Sequence, residues 1–202
     1  MKLAAAVLAA GRSLRFGDQK ITAELCGKRM VCYPVEDLRR ASIETILVIL
    51  NPETSKKDMS CIYGARKVVN YNYMEGMASS IRLSVDIVRD DFTHLLITNG
   101  DMPLFGWKHY AEMVCLLRKN STRIISAYNS GILRSPAIFP KEYFDELFSL
   151  HGEDGGRSVL NRHKQETIPY EISDTNDLMD IDTQDDLERA SIILCERGIY
   201  KM

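Results

Sequence analysis

The sequence predicts an α/β fold: a single-domain, Rossmann-like arrangement whose mostly parallel sheet carries helices on both faces. Three observations predict it. A short apolar strand at the start of the chain runs directly into a loop rich in glycine and arginine. Strand and helix patterns then alternate along the sequence, as parallel sheets require. Acidic residues follow two of the apolar segments, at the edge where such sheets gather their ligands.

Residues 2–8 are small or branched and apolar, the pattern of a strand buried on both faces. Residues 30–41 place Val31, Val35 and Leu38 at helical spacing with Glu36, Asp37, Arg39 and Arg40 between them. Residues 46–50 form a second strand, stopped by Asn51 and Pro52. The pattern recurs as helix 80–88, strand 93–98, helix 107–117 and strand 123–128. Polar 53–57 reads as a solvated turn or helix start. Residues 185–197, acidic first and then apolar at Leu187, Ala190, Ile193 and Leu194, read as a closing helix packed on the sheet. With no repeat, low-complexity tract or linker, residues 1–202 read as one domain.

The 202 residues are 45% hydrophobic, enough for one well-cored domain. A net charge of -2 gives no general attraction to nucleic acid or acidic membranes, so neither is an expected partner. The five cysteines are scattered without a CxxC pair, which favours neither a disulfide framework nor zinc and fits a reducing cytoplasm. The first apolar run is too short for a signal peptide, and no segment approaches the ~20 apolar residues of a membrane span.

The loop over residues 8–20 carries the chemistry. Leu8 ends the strand, and small Ala9, Ala10 and Gly11 let the backbone approach a bound group so that its N–H groups face phosphate oxygens. Arg12, Ser13, Arg15 and Lys20 follow. Arginine grips phosphate as a planar fork and lysine as a mobile point charge, so Arg15 and Lys20 suit a polyphosphate. The residues alone also fit a plain strand-to-helix turn, and they match neither the P-loop nor the GxGxxG spacing.

Asp101 follows the strand 93–98 beside Gly100, at the carboxyl edge where magnesium needs only one or two carboxylates. Asp180 and Asp182 alternate with Ile181, so both would face one side of a short strand. Thr183 with Asp186 reads as a helix cap. Gly76, Ser79 and Ser80 open a helix where hydroxyls and free N–H groups bind ribose or phosphate, or simply cap it. His94, His109, His151 and His163 share no ligand spacing; His151 alone lies near a candidate loop.

These segments, in order, resemble the MobA-like nucleotidyltransferases. The pattern (L/T)A(A/G)GxSxRMGxxK is matched at Ala10, Gly11, Ser13, Arg15, Gly17 and Lys20, with Phe16 in place of methionine. GDMP and DIDT are similar to the family's acidic segments, which implies Asp101 and Asp182, with Asp180 in support, as ligands to magnesium or manganese. The resemblance implies a nucleotide-diphospho-sugar-transferase-like fold and transfer of a nucleoside monophosphate to an acceptor phosphate with loss of pyrophosphate. Arg15, Lys20, Asp101 and Asp182 would carry catalysis, and residues 8–13, Gly76, Ser79 and Ser80 would hold nucleotide. Segments 131–140 and 152–157 look like the acceptor-lining stretches, implicating Ser135, Gly155 and Arg157, with Gly155 and Gly156 offering N–H groups. Glu153, Gly156, Tyr71, Tyr73 and Gln184 depart from the family's residues. LAAG, Ser79 with Ser80, and NGDMP resemble the cytidylyltransferase branch. That resemblance implies CTP and the molybdopterin cofactor as substrates and a molybdenum hydroxylase apo-enzyme as partner. A sugar or polyol phosphate acceptor, and a non-catalytic cofactor-binding accessory protein, are the alternatives.

Overall fold

The computed structural model of the chain describes residues 1–11, 16, 20–57 and 60–198. In chain order come β1 (Leu3–Ala9), the hairpin β2 (Glu24–Leu25) and β3 (Lys28–Arg29), α1 (Cys32–Arg40), β4 (Thr45–Leu50) and α2 (Pro52–Ser55). Then follow β5 (Arg66–Val69), α3 (Met77–Val88), β6 (His94–Asn99), α4 (Trp107–Lys119), β7 (Ile124–Asn129) and β8 (Ile132–Pro140). The last elements are α5 (Phe144–Phe148), α6 (Arg157–Arg162), β9 (Thr167–Glu171) and α7 (Gln184–Glu196).

Among the described residues, seven strands form one sheet in the order β5-β4-β1-β6-β8-β7-β9. β8 runs antiparallel to β6 and β7, and the other neighbours pair in parallel, so the mostly parallel expectation holds. The period-two alternation of β1 builds a core on each face. Ala5, Val7 and Ala9 pack with Val35 and Leu38 of α1 and with Tyr110 and Met113 of α4. Ala4, Ala6 and Leu8 pack with Ile81 and Val85 of α3 and with Phe144 and Leu147 of α5. Small side chains on β1 let helices close over both faces of the strand whose end becomes the site.

Three expectations need correction. The 180–183 stretch is not a strand: a single bond from Ile181 N–H to the Asp101 carbonyl, 3.0 Å, docks it, and buried Ile181 supplies the alternation. α7 packs away from the main sheet, since its Ala190 and Leu194 join Leu25, Met30, Tyr33 and Leu104 in a third cluster beside the hairpin. Cys32 and Cys61 form a disulfide, because packing of the 60–62 turn beside α1 brings their Cα atoms to 5.8 Å, within bridging range. No helix among the described residues is long and apolar enough to cross a membrane.

Candidate active site

β1 and β6 lie side by side and end together, so the site begins where both chains leave the sheet. Gly100 makes that junction work. Its N–H donates to the Leu8 carbonyl at 2.8 Å, and a Cβ there would stand 3.0 Å from Ala9 Cβ and 3.2 Å from the Leu8 oxygen. Leu8, Ala9, Ala10 and Gly11 on one side and Asn99 and Asp101 on the other line a cavity of about 450 Å³. Asn51 supports the first side: its amide donates to the Ala10 and Gly11 carbonyls at 3.4 Å while its oxygen caps α2.

Lys20 enters this cavity from a one-turn 3-10 segment and brings two distant acids together. Its Nζ lies 2.6 Å from Asp101 Oδ2 and 2.7 Å from Asp182 Oδ1. Burial opposes the ammonium charge, but the two carboxylates outweigh that cost and hold its pKa above the ordinary lysine value. The Asp182 N–H donates to Asp186 Oδ2, and Thr183 and Asp186 complete the expected capping box, so the start of α7 fixes the acid. Asp101 Oδ1 is buried without a hydrogen-bond partner among the described residues. Asp180 stands beside this group, accepting from Asn99 at 3.5 Å.

The opposite wall is the start of α3. Gly76 has φ +94°, and a Cβ there would lie 2.3 Å from the Gly152 carbonyl oxygen, which accepts from Ala78 N–H at 3.0 Å. Met77 N–H donates to Glu153 at 3.2 Å, so the 151–157 segment is clamped onto this helix end. Gly76, Met77, Ser80 and Glu153 line the cavity. Ser79 sits behind them and shares the amide of buried Asn70 with Ser80.

The cavity thus gathers backbone, two acids and a lysine at the ends of β1 and β6, and the sequence comparison supplies the family. The model of the MobA-like NTP transferase domain matches residues 5–167. The chain belongs to that family. A Pyrococcus furiosus protein described as "Probable molybdenum cofactor guanylyltransferase" is 38% identical over 100 residues, covering 49% of this chain and 47% of that one. The chain spans about half the length of this relative and of its Pyrococcus horikoshii counterpart. Among solved structures, a nucleotidyl transferase from Methanothermobacter thermautotroptrophicus aligns at TM-score 0.81 with 15% identity, covering 96% of this chain and 98% of that one. Rv0371c of Mycobacterium tuberculosis, in complex with manganese, aligns at 0.73 with 21% identity over 94% and 97%. These two likenesses show the fold.

Of the residues that resemble the MobA-like signature, Arg12, Ser13, Arg15 and Gly17 lie outside the described residues. Lys20, Asp101 and Asp182 come together, and Leu8, Ala9, Ala10, Gly11, Gly76 and Ser80 share their cavity. Ser135, Gly155 and Arg157 do not line it. Ser135 Oγ is buried without a partner among the described residues, Gly155 packs against Met77, and Arg157 is exposed at the start of α6. Gly156 offers no N–H to a ligand, in correction of the expectation, because Asp154 Oδ1 already accepts it at 2.9 Å. His151 is exposed and outside the cavity lining. Phe16, Ile21, Tyr73, Met77, Asn99 and Glu153 line the cavity without having been singled out as site residues. Ile21 is placed by the fold, whereas the others stand in segments the sequence had marked: Phe16 in the 8–20 loop, Tyr73 and Met77 in 70–81, Asn99 in NGDMP and Glu153 in 152–157.

Proposed function

We propose that this chain transfers CMP from CTP to the phosphate of the molybdopterin cofactor, releasing pyrophosphate and giving the cytosine dinucleotide form. The meeting of Lys20 with Asp101 and Asp182, beside the backbone of residues 8–11, carries the reading. The family and the printed descriptions of its curated relatives support the reaction class and the acceptor. In this reading the backbone N–H groups of Ala10 and Gly11, just beyond the ladder of β1, and the side chains of Arg12, Ser13 and Arg15 hold the triphosphate, and Lys20 moves its point charge onto it. The protein contributes positioning and charge, since phosphoryl transfer leaves it little covalent work. The family resemblance alone implies Ser135, Gly155 and Arg157 as acceptor-side residues, since they lie outside the cavity lining, and a molybdenum hydroxylase apo-enzyme would receive the product.

A divalent ion fits the acids. Among the described residues no three acidic, histidine or cysteine groups form a protein-only cage, but Asp101 has a buried oxygen without a partner. Magnesium needs few protein ligands, because water and phosphate oxygens complete its shell. Asp101 and Asp182, with Asp180 beside them, would hold magnesium or manganese, which when bound neutralises triphosphate charge.

Ala10, 5% exposed at the cavity wall, supports CTP by narrowing the base side against a purine. GTP is the second reading, favoured by the guanylyl descriptions of the relatives. Pyrophosphate release is to be measured with CTP, GTP, ATP and UTP, each with and without the molybdopterin cofactor. CTP-selective, cofactor-dependent release is the expected result. GTP-selective release replaces the donor, release only with a sugar phosphate replaces the acceptor, and no release with any pair leaves the accessory-protein alternative.

A further inference from the structure

We infer that Cys26 and Cys195 form a reversible redox site, a dithiol that a low-molecular-weight disulfide converts into a bridge between the β2–β3 hairpin and α7. The pair lies outside the lining of the nucleotide cavity and does not depend on the nucleotide reading. The hairpin tip breaks a local rule. Leu25 pairs with Lys28, which leaves Cys26 and Gly27 as a two-residue loop with φ +49° and +75°. Such a loop needs positive φ at both positions and ordinarily takes asparagine, aspartate or glycine at the first, because other side chains are strained there. Here a cysteine stands in that position, and the turn carries its side chain to α7. Cys26 Sγ lies 3.2 Å from Ser191 Oγ and 3.7 Å from the Ser191 carbonyl oxygen. Cys195 follows Ser191 by four residues, on the same face of α7. Desolvation first, and then its hydrogen bond with the Cys26 thiol, holds the Cys195 thiol above the ordinary range, so the two sulfurs are neighbours.

Both cysteines are half-buried and within reach of a small reagent, whereas Cys32 of the existing bridge is fully buried. One thiolate attacks glutathione disulfide, forming a mixed disulfide and releasing a glutathione thiolate. The second thiolate attacks the protein sulfur of that intermediate and releases the other glutathione. The protein loses two thiol protons and two electrons, and the reagent takes up the electrons as its own disulfide is reduced. The bridge would join the elements that support the site. β2 begins soon after Lys20, the start of α7 fixes Asp182, and Leu25, Ala190 and Leu194 share one core cluster. A link between chain segments so distant in sequence restricts the unfolded chain, and it ties the hairpin to α7 behind the Lys20 and Asp182 contact.

The test uses the full chain, incubated with reduced or with oxidised glutathione and then alkylated. Proteolysis and mass spectrometry without reduction map the cysteines, and thermal unfolding and amide hydrogen exchange are followed on the same samples. The expected result in oxidised glutathione is a peptide joining Cys26 to Cys195 and a Tm about 5 °C or more above that of the reduced protein. Exchange should slow in residues 24–29 and 184–196. Cys195→Ser keeps a small polar side chain against Cys26, and treated alike it should show neither the joined peptide nor the rise in Tm. Cys26→Ser should behave in the same way, and Cys195→Ser decides the matter where Cys26→Ser does not fold. Recovery of Cys26 and Cys195 from oxidised wild type on separate peptides, alkylated or carrying glutathione, overturns the inference. A joined peptide with Tm and exchange unchanged overturns the link between hairpin and α7, and a rise in Tm that persists in Cys195→Ser assigns the effect to other cysteines.

Discussion

Lys20 Nζ lies 2.6 Å from Asp101 Oδ2, so the cation at the end of the β1 loop is held by the acid at the end of β6. The two side chains are 11% and 19% exposed, and a partly buried charge left alone is costly. Lys20→Ala leaves Asp101 and Asp182 facing each other without their cation. It is expected to lower unfolding stability by about 1–3 kcal/mol in chelator, and added magnesium or manganese is expected to restore part of the loss. Thermal unfolding with and without metal checks this.

The same pair predicts turnover. Lys20→Ala and Asp101→Ala should each reduce pyrophosphate release by about 10²-fold or more while far-UV circular dichroism is unchanged, since each removes charge aimed at the reacting phosphate. Near-normal turnover in both variants would sink the mechanism.

Gly76 has two independent reasons to be glycine: φ +94° and the Gly152 carbonyl 2.3 Å from any Cβ. Gly76→Ala is expected to cost about 1–3 kcal/mol and to release the 151–157 segment from α3. Limited proteolysis should then cut near Gly152, whereas Gly131→Ala, at a β-turn glycine of φ +85° with nothing within 4 Å, should strain its own turn without exposing that segment. Equal protection of residues 151–157 in both variants would refute the clamp.

What the sequence made legible was whatever obeys a local rule. β1, β4 and β6 are apolar on both faces and stand out, and the Thr183–Asp186 cap follows from spacing alone. β5 and β9 escaped because they are edge strands with charged or exposed residues such as Arg66, Lys67 and Glu171. In the site, Lys20 and Asp101 stood out by residue type and position, and Asp182 by the resemblance of its segment to the family's acidic stretch. Their contact was not legible, because 162 residues separate Lys20 from Asp182, and the docking of Ile181 on the Asp101 carbonyl together with the packing of Ile181 and α7 beside the hairpin closes that distance. The Cys32–Cys61 bridge depends on how α1 packs, which no cysteine spacing reveals.

Asp37, on α1, predicts a pH dependence far from the cavity. Burial first of all pushes its carboxyl up, to about 6, against the pull of Arg40 and Lys28 and of the Trp107 N–H that it accepts. The carboxyl is neutral in both folded and unfolded chains below about pH 4. As pH rises the unfolded chain ionises first, so this group's contribution to stability is lost through the folded value near 6 and stays lost above it. An asparagine at this position would keep an acceptor for Trp107 and carry no charge. Asp37→Asn should therefore match wild type near pH 4 and exceed it by about 1–3 kcal/mol above pH 7. Urea unfolding of both proteins from pH 4 to 8 checks this, and a stability difference that does not change with pH would show that Asp37 is not held by burial.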